Sequence, residues 1–209
     1  LHQDIIRPCP DPQFFSGLFL TPKPEPNKFR LIIDLSDLNY HYIPYEHFQM
    51  ESLSDALEIL ERGDFMCKVD LKNAYYSVPI AKEHQGLLAF MWRGVPHMFI
   101  RLCFGLAPAP RIFTKILKPV IAWLRCQGAK LIAYLDDFWI AHPCREKCKS
   151  LTKKLMTCLT NLGFTVNLQK SIIEPVQSLT FLGMIISSRD MTVSLPLPKR
   201  DKLLSLMQG

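Results

Sequence analysis

No apolar run in the sequence approaches the roughly 20 residues that span a bilayer as a helix. Stretches such as Leu131–Tyr134 and Phe138–Ala141 stop far short, so no helical membrane anchor is expected. Glycine is scarce, at 9 of 209 residues, and a 48% hydrophobic content argues against a collagen-like or disordered chain. There is no internal repeat and no low-complexity tract. Seven cysteines stand at 9, 67, 103, 126, 144, 148 and 158 without one Cys-x-x-Cys pair. An odd, unpaired set points to reduced thiols in an intracellular compartment. His142, Cys144 and Cys148 cluster but lack the repeated paired spacing of a structural zinc site. The chain opens on Leu1, with no charged segment leading into an apolar one. Its ends are therefore expected to be cuts within a longer polyprotein.

Negative charge is missing from one long span. Between His84 and Leu135 there is no Asp or Glu, while Arg93, Arg101, Arg111, Lys115, Lys118, Arg125 and Lys130 all fall there. With a net charge of +6, this bias suits a polyanionic partner, although a solvated surface accounts for scattered cations equally well.

The order of elements reads as α+β. Phe14–Leu20 and Phe29–Leu35 alternate like strands of a hairpin around a Pro-rich tip. Ser52 and Asp55 have the spacing of a helix-capping box, and Phe65–Asp70 is a strand ending in a carboxylate. Ser77–Ile80, Leu87–Trp92 and His97–Leu102 are further strand candidates. Pro110 starts an amphipathic helix that Gly128 ends, with Pro119 a candidate kink. Lys130–Tyr134 and Phe138–Ala141 form a hairpin with Asp136 and Asp137 at its tip, followed by a helix over Arg145–Leu162 and a strand over Leu179–Ile186. An antiparallel sheet carrying helices on one face fits this order.

Two adjacent acids flanked by apolar strands repel each other and resist desolvation. Alone, Asp136-Asp137 reads as a solvated turn. Asp70, at the end of an earlier strand, changes that if the strand lies beside the hairpin, because three carboxylates then meet at one sheet edge. Hard oxygen ligands in such a group suit Mg²⁺, and paired ions serve in-line phosphoryl displacement. Acids of this kind in a basic chain suggest nucleotidyl transfer.

Several motifs then occur in a familiar order. Tyr134-Leu135-Asp136-Asp137 resembles the Tyr-x-Asp-Asp box of reverse transcriptases, and Val69-Asp70-Leu71-Lys72-Asn73-Ala74-Tyr75-Tyr76 resembles their first catalytic motif. Phe104-Gly105-Leu106-Ala107-Pro108-Ala109-Pro110 with Phe113, Gly163-Phe164 with Lys170, and Phe181-Leu182-Gly183 resemble the motifs that follow. Phe29-Arg30 through Asp34 and Asn39, and Phe48 through Leu53, look most like retrotransposon enzymes, particularly tyrosine-recombinase elements.

The resemblance implies the right-hand polymerase fold: fingers in 1–62 and 81–103, an antiparallel palm in 63–80 and 104–190, and the start of a thumb or connection in 191–209. It implies RNA-directed DNA polymerase activity, adding deoxynucleotides to a primer on an RNA or DNA template. Asp70, Asp136 and Asp137 would hold two Mg²⁺ ions, replaceable by Mn²⁺, and Lys170 would protonate the leaving pyrophosphate. Lys23 and Arg30 would grip the triphosphate, Tyr75 would exclude a 2′-hydroxyl, and Phe104 and Gly105 would floor the nucleotide pocket. Ser36 stands where the family usually carries Arg, removing one template contact. Two other readings are a non-catalytic nucleic-acid-binding remnant and a different Asp-dependent phosphotransferase, which explains the acids but not the other motifs.

Overall fold

A computed structural model describes residues 4–22, 27, 29–44 and 46–207. In chain order come β1 (Ile6–Pro8), β2 (Phe15–Pro22), β3 (Phe29–Asp34), α1 (Ser36–His41), α2 (Leu53–Ile59) and β4 (Phe65–Lys72). Next are a 3-10 turn over Ala74–Ser77, α3 (Lys82–Gln85), a 3-10 turn over Gly86–Leu88, β5 (Ala89–Trp92), β6 (Val95–Phe99) and α4 (Ala109–Arg125). The last stretch holds β7 (Lys130–Tyr134), β8 (Asp137–His142), α5 (Arg145–Asn161), β9 (Thr165–Val166) and β10 (Ile172–Val176). It ends with β11 (Ser178–Phe181), β12 (Met184–Ser187), β13 (Thr192–Ser194) and α6 (Leu197–Met207). No helix among the described residues is long and apolar enough to cross a membrane. Two compact units result, one of residues 1–48 and 73–115 and the other of 49–72 and 116–209.

The first unit is built on a five-stranded sheet in the order β1-β6-β5-β2-β3. Its β2–β3 hairpin runs in register from Gly17↔Asp34 to Pro22↔Phe29. Beside it, residues 104–107 are held as a fixed loop. Asn39 Nδ2 donates to the Gly105 carbonyl at 2.7 Å, and the Ala107 N–H donates to Asn39 Oδ1 at 2.9 Å. Gly105 has φ 108, and a Cβ there would lie 2.0 Å from the Ile33 carbonyl oxygen. Only glycine lets the two backbones approach this closely.

The second unit centres on the sheet β10-β4-β8-β7. Because side chains alternate along a strand, Met66, Lys68 and Asp70 share a face with their cross-strand partners Ala141, Trp139 and Asp137. Met66, Trp139 and Ala141 pack on that face with Ala56, Leu60, Leu179, Phe181 and Ile186. The opposite face carries Cys67, whose thiol receives a contact from Cys148 of α5 at 3.8 Å. Helix α5 buries Leu151, Leu155 and Leu159. All seven cysteines are free thiols. Helix α2 starts as its sequence predicts: the Asp55 carboxylate accepts from both the N–H and the hydroxyl of Ser52, each at 2.6 Å.

Two local expectations give way. Ser77–Ile80 forms no strand among the described residues, since the 3-10 turn consumes its start and only a single bridge joins Pro79 to Arg101. Leu179–Ile186 is not one strand: Leu182 (φ 46) and Gly183 (φ 81) are left-handed, and β11 folds back onto β12 there. Helix α4 contains Pro119 within a single helical segment and buries Phe113, Leu117, Val120, Ile121 and Leu124.

Gly105→Ala is expected to cost at least about 2 kcal/mol, from left-handed strain plus the clash with Ile33. Chemical denaturation of the variant against the parent chain measures the loss.

Candidate active site

The β4/β8 register sets Asp70 directly opposite Asp137, so both carboxylates leave the sheet on one face. Asp137 is thus a strand residue rather than a tip residue, and the turn consists of Leu135 and Asp136, closed by the Tyr134↔Asp137 pair. Leu135 has φ 52 while Asp136 does not share that region. This is the position where a two-residue hairpin prefers glycine, and a leucine there stores about 1–3 kcal/mol of strain. The Asp136 carbonyl accepts the Leu71 N–H at 2.9 Å, which ties the turn back onto β4.

Asp70 is gripped from a third direction. Its N–H donates to Ser171 Oγ at 3.0 Å, and its carbonyl accepts from the Asn167 N–H at 2.8 Å. Ser171 Oγ in turn donates to the Asn167 carbonyl at 2.8 Å. Lys170 stands exposed on this same turn, its N–H donating to the Asn167 carbonyl at 3.2 Å. Burial pushes the Asp70 carboxyl above the usual carboxylate range, a hydrogen bond from Asn167 acts the other way, and the charges of Asp137 and Asp136 raise it further. Lys68 partly offsets them. Its Nζ lies 3.0 Å from Asp137 Oδ1, with both side chains mostly buried. The contact is an ion pair without hydrogen-bond geometry, since that oxygen is buried and accepts no hydrogen bond.

Carboxylate oxygens of this kind suit a hard divalent cation, and the buried Asp137 oxygen without a donor is one that such a cation would satisfy. Yet among the described residues no group of three or more His, Cys, Asp or Glu side chains is placed to hold a metal ion. Asp70 and Asp137 are brought together with Asp136 beside them, while the charge on Asp137 is met by Lys68.

The nucleotide-pocket candidates of the first unit form their own constellation. Lys23 lies outside the described residues. Arg30, paired in register with Thr21, places its guanidinium over the Phe104 ring, 4.9 Å from the centroid. Tyr75 is buried between Phe104, at 5.0 Å, and Phe113, at 5.4 Å. Tyr76 meets Phe104 edge-on, and burial pushes its hydroxyl up to about 12. Ser36 is engaged with Asp34, whose carboxylate accepts its hydroxyl at 2.6 Å and is thereby held below its usual range.

The acid-free span carries less free charge than its sequence suggests. Arg111 pairs with Glu46, Arg125 with Glu51, and Lys130 with Asp64 and Glu61, while Arg101 donates to the Asp4 carbonyl. Sequence reasoning also passed over Lys68, Leu135, Asn167 and Ser171. Strand alternation placed Lys68 on the Asp70 face; nothing local marked the other three.

A family model for reverse transcriptase (RNA-dependent DNA polymerase) matches residues 21–186, most of the chain. The chain belongs to the reverse transcriptase family. The Pro-Pol polyprotein of Simian foamy virus type 1 is 29% identical over 170 residues, which cover 81% of this chain and 14% of that protein. The retrovirus-related Pol polyprotein from transposon opus of Drosophila melanogaster is 25% identical over 211 residues, covering 99% and 20%. This reverse transcriptase chain therefore spans a minor part of its relatives. The foamy viral protease-reverse transcriptase solved with double-stranded DNA shares its fold, with a TM-score of 0.85 at 23% identity over 97% of this chain and 34% of that one.

The raised pKa of Asp70 has a consequence for stability. A carboxyl whose folded pKa lies above its unfolded value is penalised once ionised. The penalty is absent below the unfolded pKa and fully present above the folded one. Asp70→Asn is therefore expected to raise the melting temperature at pH 7 and to lose that advantage towards pH 3, as thermal melts across pH would record.

Proposed function

We propose that this chain is the polymerase segment of a retroelement Pol polyprotein, adding deoxynucleotides to a primer paired with an RNA or DNA template. The observation that carries this is the Asp70–Asp137 cross-strand pair, with Asp136 adjacent, in a chain of the reverse transcriptase family. The DNA bound by the foamy viral enzyme supports a nucleic-acid partner. Residues 1–62 and 81–103 serve as fingers, 63–80 and 104–190 as palm, and 191–209 begin the thumb or connection. Free thiols favour a reducing, intracellular setting.

Asp70, Asp136 and Asp137 would hold two Mg²⁺ ions, or Mn²⁺ in their place, which would supply activation of the primer hydroxyl and stabilisation of the leaving oxygen. Arg30, its guanidinium over Phe104, offers a planar fork to triphosphate oxygens, and Lys23 adds a compact charge. Tyr75, fixed by Phe104 and Phe113, has little room to yield to a 2′-hydroxyl. Lys170 supplies the proton to pyrophosphate. Asn167 and Ser171 fix the backbone that carries Asp70 and so limit its movement during the reaction.

The Lys68 ion pair on Asp137 favours a second reading, a nucleic-acid-binding remnant that no longer polymerises. Primer extension separates the two. Asp70→Asn is expected to lower extension at least about a thousandfold while leaving gel-shift binding of primer-template within twofold. Binding without extension by the parent chain completed with thumb sequence would favour the remnant. Tyr75→Val is expected to admit ribonucleotides, read as a fall of about tenfold or more in the deoxy-to-ribo ratio of kcat/KM.

A further inference from the structure

Two carboxylates facing each other across a β-ladder call for a positive charge nearby, and in this structure it comes from the strand that bears Asp70. Lys68 precedes Asp70 by two residues on β4, so strand alternation puts both on one face. Asp137 is the cross-strand partner of Asp70, which places it diagonally within reach of Lys68. The ammonium lies 3.0 Å from Asp137 Oδ1, with side-chain exposures of 16% and 22%. A lysine at this depth is rarely retained without a charge partner.

We propose that Lys68 is a displaceable counter-ion of the carboxylate site, occupying Asp137 until a divalent cation takes its place. The proposal rests on the metal-dependent reading given above. The ammonium and a metal ion need the same oxygen. Asp137 Oδ1 accepts no hydrogen bond, so releasing it breaks one ion pair and no directional network. A lysine head is a compact point charge on a flexible four-carbon stem, so it can leave by rotation without backbone movement. An arginine there would hold both carboxylate oxygens in a planar fork and release them less readily. Lys68 therefore stabilises the metal-free fold and weakens the first metal-binding step.

The test uses the 209-residue chain with Mn²⁺ as the probe, its free concentration followed by electron paramagnetic resonance. Lys68→Met is expected to bind Mn²⁺ at least about tenfold more tightly than the parent while melting at a lower temperature without metal. Lys68→Arg should restore the melting temperature without tightening binding. A second measurement needs no variant: acetylation of Lys68 by acetic anhydride, read by mass spectrometry, should rise severalfold when Mn²⁺ is added, because the released ammonium becomes exposed. Saturable binding that Asp137→Asn abolishes but Lys68→Met leaves unchanged would overturn the counter-ion role and spare the metal reading. No saturable binding by the parent chain would overturn both. Lys68 acetylation unaltered by metal would also defeat the displacement.

Discussion

Two carboxylates facing each other across one β-ladder dictate how the second unit must be built. Directly opposed like charges push strands apart, so a register that holds them needs reinforcement at the backbone. Strand β4 receives it on both sides, lying between β8 and β10 in its sheet. At the critical residues the reinforcement is individual: the N–H and carbonyl of Asp70 are both taken by the 167–171 turn, and the next N–H by Asp136. Farther along the same face the sheet is closed by Trp139, Met66 and Phe181, all without exposure. Stability invested in the core is what permits charges to be held at unfavourable spacing, a trade-off that functional sites commonly make.

In the first unit the organising contact is aromatic rather than ionic. Phe104 is touched by Tyr75, Tyr76 and Arg30 at once, and the adjacent Gly105 lies against the Ile33 carbonyl. The Arg30 guanidinium therefore rests against a ring that carries no charge. A guanidinium gains orientation from a ring face while its N–H donors point outward in its own plane.

Much of this was readable from sequence where the periodicity was strong. The β7–β8 hairpin, helix α5 and the capped start of α2 follow from alternation, helical spacing and the Ser52–Asp55 box. Errors came where backbone conformation ran against residue preference. Leu135 and Leu182 are not turn residues by type, yet both adopt positive φ, so Asp137 looked like part of a tip and β11–β12 like one strand. The grip of Asn167 and Ser171 on Asp70 joins residues about a hundred positions apart through the short β9–β4 pairing. No local pattern encodes it. Lys68 was passed over as well, although a cation inside an apolar strand two residues before Asp70 was a signal that alternation could have supplied.

At the margin of the central sheet, β7 exposes one side of its ladder, and two side chains occupy it. Arg125 donates through Nε and Nη2 to the Leu131 carbonyl, at 3.0 and 2.6 Å, while Glu51 Oε2 accepts the Ala133 N–H at 2.8 Å. Arg125 and Glu51 also bind each other, completing a strap that mimics the donor and acceptor pattern of a missing strand. An open margin is an invitation to another chain, and such pairing is the usual start of cross-β aggregation. The strap takes up donors and acceptors along that border while Asp136 at the hairpin tip stays exposed.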